Sequence, residues 1–367
     1  MALSVRKLRE LRKMKDIKFN RILIVRLSAL GDVINTLPAA AILRKNYPKS
    51  FIGWVVEDKA KDIVINHPDL DKVFVFRRKD WKINFTNPMK LFRLSKEVPA
   101  FIKEIKSNEF DVVIDFQGNL KSGAITYLSG AKARVGFERG ATKEFNHLFI
   151  NHKIKLAEKR INRVEKNIQL LKSLGMDTEN YKVHLPVIPE DEAYFRAFFE
   201  LYIKPDKPVI VFHPGTSGFG SYKRWPADKY SALGNFLKEK YNANIFITHG
   251  PGETALAEEI SGKMISPALI HYRTEPITRF SVLLKRASLF IGSDSGPLHL
   301  ASVVGTPVIA LFGPKDPVIY APHHSRNAVI IRKDLKCSPC KKRTCKKPEC
   351  MLLITPEEVF DAAKKLL

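Results

Sequence analysis

The chain has 367 residues, enough for two or three domains of about 150 residues each, which excludes a peptide or mini-protein. Hydrophobic residues make up 45% and charged residues 27%, a balance that excludes a chain disordered throughout. Lys and Arg number 62 against 38 Asp and Glu, and the resulting net charge of +24 indicates an anionic partner: nucleic acid, phosphorylated small molecules or an anionic membrane.

Residues 1–18 predict a basic amphipathic leader with seven Lys or Arg and two acidic residues. Its apolar side chains recur every three positions, as on one stripe of a helix: Val5, Leu8, Leu11 and Met14. Such a stripe fits either a membrane surface or a solvated terminal helix. The sequence has no apolar run of roughly 18 residues and no signal-peptide run, so we expect a cytoplasmic protein.

The next segment, residues 19–190, predicts a parallel α/β domain. Short apolar runs predict buried strands at 22–25, 51–56, 73–76 and 112–114, and helical periodicity occurs between them, as at 33–44 and 89–105. A polar stretch near 186–191 marks a boundary. The alternation then restarts in a second domain, residues 191–367, with predicted strands at 209–212, 244–248, 288–291 and 308–312. We expect two doubly wound domains that bind ligand at the carboxyl ends of their strands.

The first predicted strand is followed by RLSALGDV, residues 26–33. Asp32 stands where a carboxylate could accept a proton from a substrate hydroxyl. The alternative is that Asp32 only caps the helix that starts nearby, since Asp is a preferred cap residue. The dinucleotide fingerprint G-x-G-x-x-G is absent, which argues against a dehydrogenase.

Two motifs in the second domain predict anion binding. In HPGTSGFGSYKRWP, residues 213–226, backbone N–H groups could hold phosphate and Lys223 and Arg224 add positive charge, with an ordinary surface turn as the alternative. In SDSGPLHL, residues 293–300, a helix begins near Ser295 and Gly296, and the free N–H groups of a helix N-terminus attract anions.

Six segments in this order resemble glycosyltransferase family 9, the lipopolysaccharide heptosyltransferases: LSALGDV, VIDFQGNLKSG, GFERGATKE, the HPGTSG-to-KRWP loop, HGPGE and SDSGPLHLASVVGTPVIALFGPKDP. The resemblance extends from about residue 21 to the end. Within the family, WVVED (54–58) and VIDFQGNLKSG (113–123) are most similar to the heptosyltransferase I type.

The resemblance implies a GT-B fold, with two Rossmann-like domains facing a cleft, a metal-independent inverting reaction and no cofactor. It implies that Asp32 is the general base and that Lys223 assists catalysis. The donor ADP-heptose is expected to contact the second domain through these residues: Thr216, Ser217, Lys223, Glu253, Asp294, Ser295, Gly296 and His299. A C-terminal helix is expected to complete that domain.

The implied acceptor is a Kdo-bearing lipid A, so the enzyme is expected to be peripheral on the cytoplasmic face of an anionic inner membrane. Arg77, Arg78, Lys82 and Gln117 are predicted to bind the acceptor, although the basic residues could also form a solvated face around Trp81. Two other functions stay open: heptosyltransferase II or another family 9 transferase with a different sugar or acceptor, and a basic nucleic-acid-binding protein. No nucleic-acid-binding module is visible in the sequence, so we expect no nucleic-acid partner.

All four Cys lie in CSPCKKRTCKKPEC, within residues 337–350: Cys337, Cys340, Cys345 and Cys350. Their spacing, C-x2-C-x4-C-x4-C, matches no zinc pattern cleanly. A structural metal, disulfides and free thiols all stay open, and we expect no catalytic metal.

Overall fold

A computed structural model describes residues 17–78, 80–81, 88–203, 205–216, 218–268, 270–323, 327–340, 342 and 344–367. The basic leader therefore lies almost wholly outside the described residues. The chain divides into two compact units between Pro186 and Val187. The sequence-based boundary stood at residues 190 and 191, within the first helix of the second unit. Among the described residues, no helix combines the length and the apolarity that crossing a membrane requires.

The first unit contains one parallel sheet. Its strands are β1 (Arg21–Val25), β2 (Phe51–Glu57), β3 (Lys72–Phe76), β4 (Val112–Asp115), β5 (Ala133–Phe137) and β6 (His152–Ile154), in the spatial order β3-β2-β1-β4-β5-β6. Its helices are α1 (Leu30–Ile34), α2 (Leu37–Asn46), α3 (Pro88–Lys106), α4 (Leu120–Leu128) and α5 (Arg163–Ser173), with 3-10 turns at Asp58–Ile63 and Asn146–Leu148. Ile24 of β1 pairs with Trp54 on one side and Ile114 on the other, so β1 and β4 form the switch point where the strand order reverses.

The second unit repeats this design. Its strands are β7 (Val209–His213), β8 (Asn244–His249), β9 (Ile270–Arg273), β10 (Leu289–Ser293), β11 (Val308–Phe312) and β12 (Ala328–Arg332), in the order β12-β11-β10-β7-β8-β9. Its helices are α6 (Pro189–Tyr202), α7 (Ala227–Tyr241), α8 (Thr254–Gly262), α9 (Ile277–Arg286), α10 (Gly296–Val303), α11 (Pro317–Tyr320), α12 (Glu349–Leu352) and α13 (Pro356–Ala363), with a 3-10 turn at Gly218–Lys223.

Central strands with continuous apolar runs carry both cores, as expected for parallel sheets covered on both faces. Every residue of β7, β10 and β11 is buried. Trp225 is 1% exposed and donates from Nε1 to the carbonyl of Ile354 at 3.0 Å, which ties α13 to the second core. The eight strands predicted from the sequence are confirmed, and the C-terminal helix is present as α13.

The helical periodicity at 33–44 is divided between α1 and α2. The break falls at Asn35 and Thr36, directly before Leu37 and Pro38, and Pro is favoured in the first turn of a new helix. The cap interpretation of Asp32 is wrong, because Ala29 is the cap residue of α1 and Asp32 lies in the first turn.

Candidate functional site

Asp32 lies just beyond the carboxyl end of β1, in an ion pair with Arg26. Arg26 Nη2 is 2.9 Å from Asp32 Oδ2, and the two side chains are 8% and 32% exposed. Arg26 also donates from Nη1 to the carbonyl of Phe116 after β4. Burial lowers the pKa of Arg26, and the nearby charge of Asp32 opposes that effect. The guanidinium therefore fixes a carboxylate that solvent still reaches.

A small cavity beside this pair is strongly basic. Arg26, Arg163 and Lys166 contribute to its wall together with Asp32 and Asn167. Burial, then the charges of Arg163 and Arg26, lower the pKa of Lys166 to about 8. The sequence analysis did not single out these three residues. Arg26 opens the motif RLSALGDV, in which only Asp32 was assigned a role, and Arg163 and Lys166 of α5 belong to no recognisable motif. The cavity presents cationic groups next to the predicted base, as an anionic acceptor would require.

Gln117, a predicted acceptor residue, connects two loops of the first unit. Its Oε1 accepts hydrogen bonds from the backbone N–H of Leu27 at 3.0 Å and of Ser28 at 3.3 Å. The loops after β1 and β4 are thus held together. Beneath them, Asp115 is fully buried and accepts from the N–H of Gly118, and burial raises the pKa of this carboxyl.

The other predicted acceptor residues lie at the end of β3. Arg77 and Arg78 are exposed, and Lys82 lies outside the described residues. Arg78 Nη1 is 3.2 Å from Oε2 of Glu57, a buried carboxylate whose Oε1 is 2.7 Å from Lys121 Nζ. Lys121, from α4, therefore belongs to the same charged group.

Trp81 adjoins these basic residues but faces inward. Its ring packs edge-on to Phe76 with centroids 4.9 Å apart, and its Nε1 donates to Glu97 at 2.8 Å. Trp81 thus anchors the segment that carries Arg77 and Arg78 to the core.

In the second unit, Glu253 fixes the loop that follows β7. Its Oε1 accepts from the N–H of Thr216 at 2.9 Å and from Arg224 Nη2 at 2.7 Å, and its Oε2 accepts from the N–H of Gly250 at 3.0 Å. A Cβ at Gly215 would lie 2.1 Å from Glu253 Oε2, so only glycine permits this approach. Ser217 lies outside the described residues.

Lys223 closes the same loop onto the turn after β10. Its Nζ donates to Asp294 Oδ2 at 2.8 Å and to the Asp294 carbonyl at 3.0 Å. His299 Nε2, one helical turn further on, lies 3.9 Å from Asp294 Oδ1. Asp294 therefore joins Lys223 and His299, two of the predicted donor residues from separate segments.

The N-terminus of α10 begins next to this group. Ser295 is the cap residue in an extended conformation, and Gly296 is the first helical residue. Among the described residues, no group hydrogen-bonds the buried Oγ of Ser295. The turn thus combines an available hydroxyl with the positive end of a helix dipole, which suits a phosphate group.

His213 at the start of the HPGTSG segment is buried, and its Nδ1 lies 3.0 Å from Thr248 Oγ1. Burial, then the charges of His249 and Arg224, lower its pKa to about 3. A neutral His213 therefore supports the loop from below.

The Cys-rich segment lines a separate cavity of the second unit. Cys337 and Cys345 are exposed, Cys340 is half-buried and Cys350 is buried, and all four are free thiols here. Burial raises the pKa of the Cys350 thiol, and the other three cysteines add to this. Across the part of the chain that the structure describes, no three His, Cys, Asp or Glu side chains form a group that could hold a metal ion.

Known proteins are similar to this chain in sequence and in fold. The sequence pattern of glycosyltransferase family 9 (heptosyltransferase) matches residues 98–351. Lipopolysaccharide heptosyltransferase 1 of Pseudomonas aeruginosa is 27% identical over 332 residues, which cover 89% of this chain and 87% of the relative.

Two solved structures resemble the fold. A glycosyltransferase family 9 protein of Veillonella parvula has a TM-score of 0.78 at 24% identity. The alignment covers 96% of this chain and 98% of the Veillonella chain. Heptosyltransferase WaaC of E. coli, solved with ADP-2-deoxy-2-fluoro heptose, has a TM-score of 0.71 at 23% identity and covers 95% of this chain and 100% of its own.

The two doubly wound units have a GT-B type of fold, and together with the match to the family they define a glycosyltransferase. More narrowly, the chain belongs to glycosyltransferase family 9, the heptosyltransferases. It is therefore an enzyme, and the family resemblance of its motifs is confirmed.

Proposed function

We propose that this enzyme transfers heptose from ADP-heptose to the Kdo-lipid A inner core of lipopolysaccharide, with inversion at the anomeric carbon. The observation that carries the proposal is the partly exposed Asp32 carboxylate, fixed by Arg26 beside a basic cavity. A relative named lipopolysaccharide heptosyltransferase 1 and a similar fold solved with an ADP-heptose analogue support the choice of donor and pathway.

In the acceptor half of the reaction, Asp32 takes the proton from the acceptor hydroxyl as its oxygen attacks the anomeric carbon of heptose. Arg26 positions the carboxylate by its 2.9 Å ion pair. Arg77 and Arg78, both exposed, and the cationic cavity residue Lys166 would attract the carboxylates and phosphates of Kdo-lipid A.

In the donor half, the bond between the anomeric carbon and the diphosphate oxygen breaks, and ADP leaves with the bonding electrons. Negative charge then grows on the diphosphate, and fixed positive groups stabilise it. Lys223 supplies an ammonium group, and the Ser295 hydroxyl and the Gly296 N–H lie at the α10 start. Glu253 accepts a hydrogen bond from the Thr216 N–H and so positions the loop that would contact the nucleotide.

The lipid-linked acceptor places the proposed reaction at the cytoplasmic face of an anionic inner membrane, where the enzyme would act as a peripheral protein. The net charge of +24 supports such a location. No metal is assigned a role, because Lys223 and the helix start supply the positive charge that the leaving diphosphate needs.

Mass spectrometry of products tests the proposal. Purified enzyme receives ADP-heptose with either Kdo2-lipid A or the same acceptor already carrying one heptose. Addition of one heptose to the first acceptor supports the proposal, and addition only to the second assigns the enzyme to the heptosyltransferase II reaction. Asp32→Asn serves as the inactive control, and Asp62→Asn, an exposed carboxylate on a 3-10 turn of the same unit, as the matched active one.

A further inference from the structure

Helix α4 exposes three of its four large apolar residues and buries the fourth, Ile125, together with small and hydroxyl residues. Leu120, Tyr127 and Leu128 are 50%, 57% and 47% exposed. Tyr127 and Leu128 lie about two turns after Leu120, so the three positions lie toward one side of the helix. The buried positions are Ser122, Gly123, Ile125 and Thr126. An amphipathic helix on a water-exposed surface ordinarily carries polar side chains on its outer side, where α4 has Leu120, Tyr127 and Leu128.

The 3-10 turn at residues 146–148 extends this apolar surface. Phe145 and Leu148 are 70% and 69% exposed. Leu120 donates its backbone N–H to Glu144 Oε2 at 3.2 Å, so the start of α4 adjoins Phe145. We call the exposed side chains of Leu120, Tyr127, Leu128, Phe145 and Leu148 the α4 apolar face.

The α4 apolar face is built on a fixed base. Asn146 is fully buried and donates from Nδ2 to Asp115 Oδ2 at 2.7 Å and to the carbonyl of Asn119 at 2.9 Å. A Cβ at Gly123 would lie 2.6 Å from the Phe149 ring, so α4 and the turn approach closely. Phe145 has a φ of +58°, a strained backbone for an aromatic residue. These contacts hold Phe145 and Leu148 outward rather than let them fold inward.

The segment that carries the α4 apolar face is rich in positive charge. Residues 120–148 contain five Lys or Arg and two Glu, and Lys132, Arg139 and Lys143 are exposed. The Arg134 guanidinium lies 5.4 Å from the centre of the Tyr127 ring. Exposed apolar side chains in a basic segment match a surface that is apolar inside and anionic at its headgroups.

We propose that the α4 apolar face docks the enzyme on an anionic lipid bilayer. The bilayer is favoured over a second copy of this chain because two proteins of net charge +24 repel each other, whereas anionic lipid attracts both. The proposal rests on the proposed function, since a lipid-linked acceptor requires the enzyme at a membrane. Leu120 follows directly after the loop of Gln117 that holds the backbone after β1, so docking would place the loops near Asp32 close to the lipid surface.

The test is co-sedimentation of the full chain with vesicles of phosphatidylcholine, with and without phosphatidylglycerol. In Phe145→Asn/Leu148→Ser, two large apolar side chains are lost, and Asn tolerates the left-handed backbone at 145. We expect the partition coefficient on anionic vesicles to fall about tenfold or more. Both proteins contain the leader, so any contribution of the leader to binding multiplies both partition coefficients and leaves their ratio intact.

A matched control removes two exposed apolar side chains from a helix with more acidic than basic residues. Leu201 and Tyr202 are 74% and 60% exposed at the end of α6, a helix with four acidic residues and one Arg. Leu201→Ser/Tyr202→Ser should bind anionic vesicles like the wild type. Thermal melting establishes that both variants are folded.

Two results would overturn the docking proposal: equal vesicle binding by the Phe145→Asn/Leu148→Ser variant and wild type, or a wild-type dimer in sedimentation velocity that this variant abolishes. Turnover on a deacylated, water-soluble acceptor separates docking from catalysis. If binding falls and this turnover stays at the wild-type level, both proposals hold. If binding falls but neither protein transfers heptose, docking stands and the proposed function fails.

Discussion

Arg26 and Asp32 form an ion pair at the end of β1 in which the arginine is buried and the carboxylate is about one-third exposed. Arg26 therefore orients the carboxylate of Asp32 from the protein interior, and the carboxylate is accessible to solvent on its other side. Replacing the carboxylate is the most direct test of its proposed role.

Asp32→Asn should lower turnover on the order of 100-fold or more, because the amide cannot accept the acceptor proton. Binding of ADP-heptose should change little, since the proposed donor groups belong to the second unit. Steady-state kinetics and donor titration by calorimetry measure the two effects. Near-normal turnover with chemistry rate-limiting would exclude Asp32 as the base.

Lys223→Ala should depress turnover on the order of 100-fold, since the ammonium group stabilises charge that develops on the diphosphate. His299→Ala should have a smaller effect, because His299 reaches this group through Asp294. Kinetics at limiting and saturating ADP-heptose separate binding from turnover. Lys240→Ala, which removes an exposed ammonium from α7, is the control, and kinetic constants equal to those of this control would remove Lys223 from the site.

Arg77→Ala/Arg78→Ala should raise the acceptor KM roughly tenfold, since each exposed cation contributes up to about 1 kcal/mol to an ion pair. The matched variant Lys59→Ala/Lys61→Ala removes two exposed charges from the neighbouring 3-10 turn and should leave KM unchanged. If both variants raise KM equally, the effect is one of net charge, and specific recognition by the two arginines is contradicted.

Lys166 provides a prediction about pH and stability. Its folded pKa of about 8 lies below the ordinary 10.5, so the unfolded chain binds the proton more tightly. The cost of burying the charged Lys166 therefore lowers the free energy of unfolding by its full amount below pH 8. This free energy recovers as pH rises from 8 towards 10.5. Lys166→Met should raise the free energy of unfolding at pH 7, with an upper limit of about 3 kcal/mol.

Denaturant titrations at pH 7 and pH 10 test this sign. The advantage of Lys166→Met over the wild type should shrink at the higher pH, because the wild-type lysine is neutral there. The variant also loses a hydrogen bond from Nζ to the Ala141 carbonyl. An advantage that grows from pH 7 to pH 10 would contradict the lowered pKa.

Central strands could be predicted from the sequence because they are buried on both faces and form continuous apolar runs. The sequence analysis missed β5, β6, β9 and β12. Three of these are edge strands: β6 has only three residues, and all five residues of β12 are at least partly exposed, so their patterns are weak.

Local motifs drew attention to Asp32, Lys223, Glu253 and Asp294, but not to the contacts that these side chains make. The sequence could not reveal that Glu253 would hold the backbone of Thr216, because the two residues are brought together only by the sheet. The inward orientation of Trp81 likewise depends on Phe76 and Glu97, which belong to other elements.

The strand orders of the two sheets have a consequence for how opposite charges are distributed. Counted from its own first strand, the second sheet runs six-five-four-one-two-three, the order of the first sheet read from the other edge. β1 and β7 are therefore topological equivalents. The segment after β1 carries the anionic Asp32, and the segment after β7 carries the cationic Lys223. The equivalent segment thus carries a carboxylate paired with Arg26 in the first unit and an ammonium group paired with Asp294 in the second. Our proposal assigns proton acceptance to the first group and anion binding to the second.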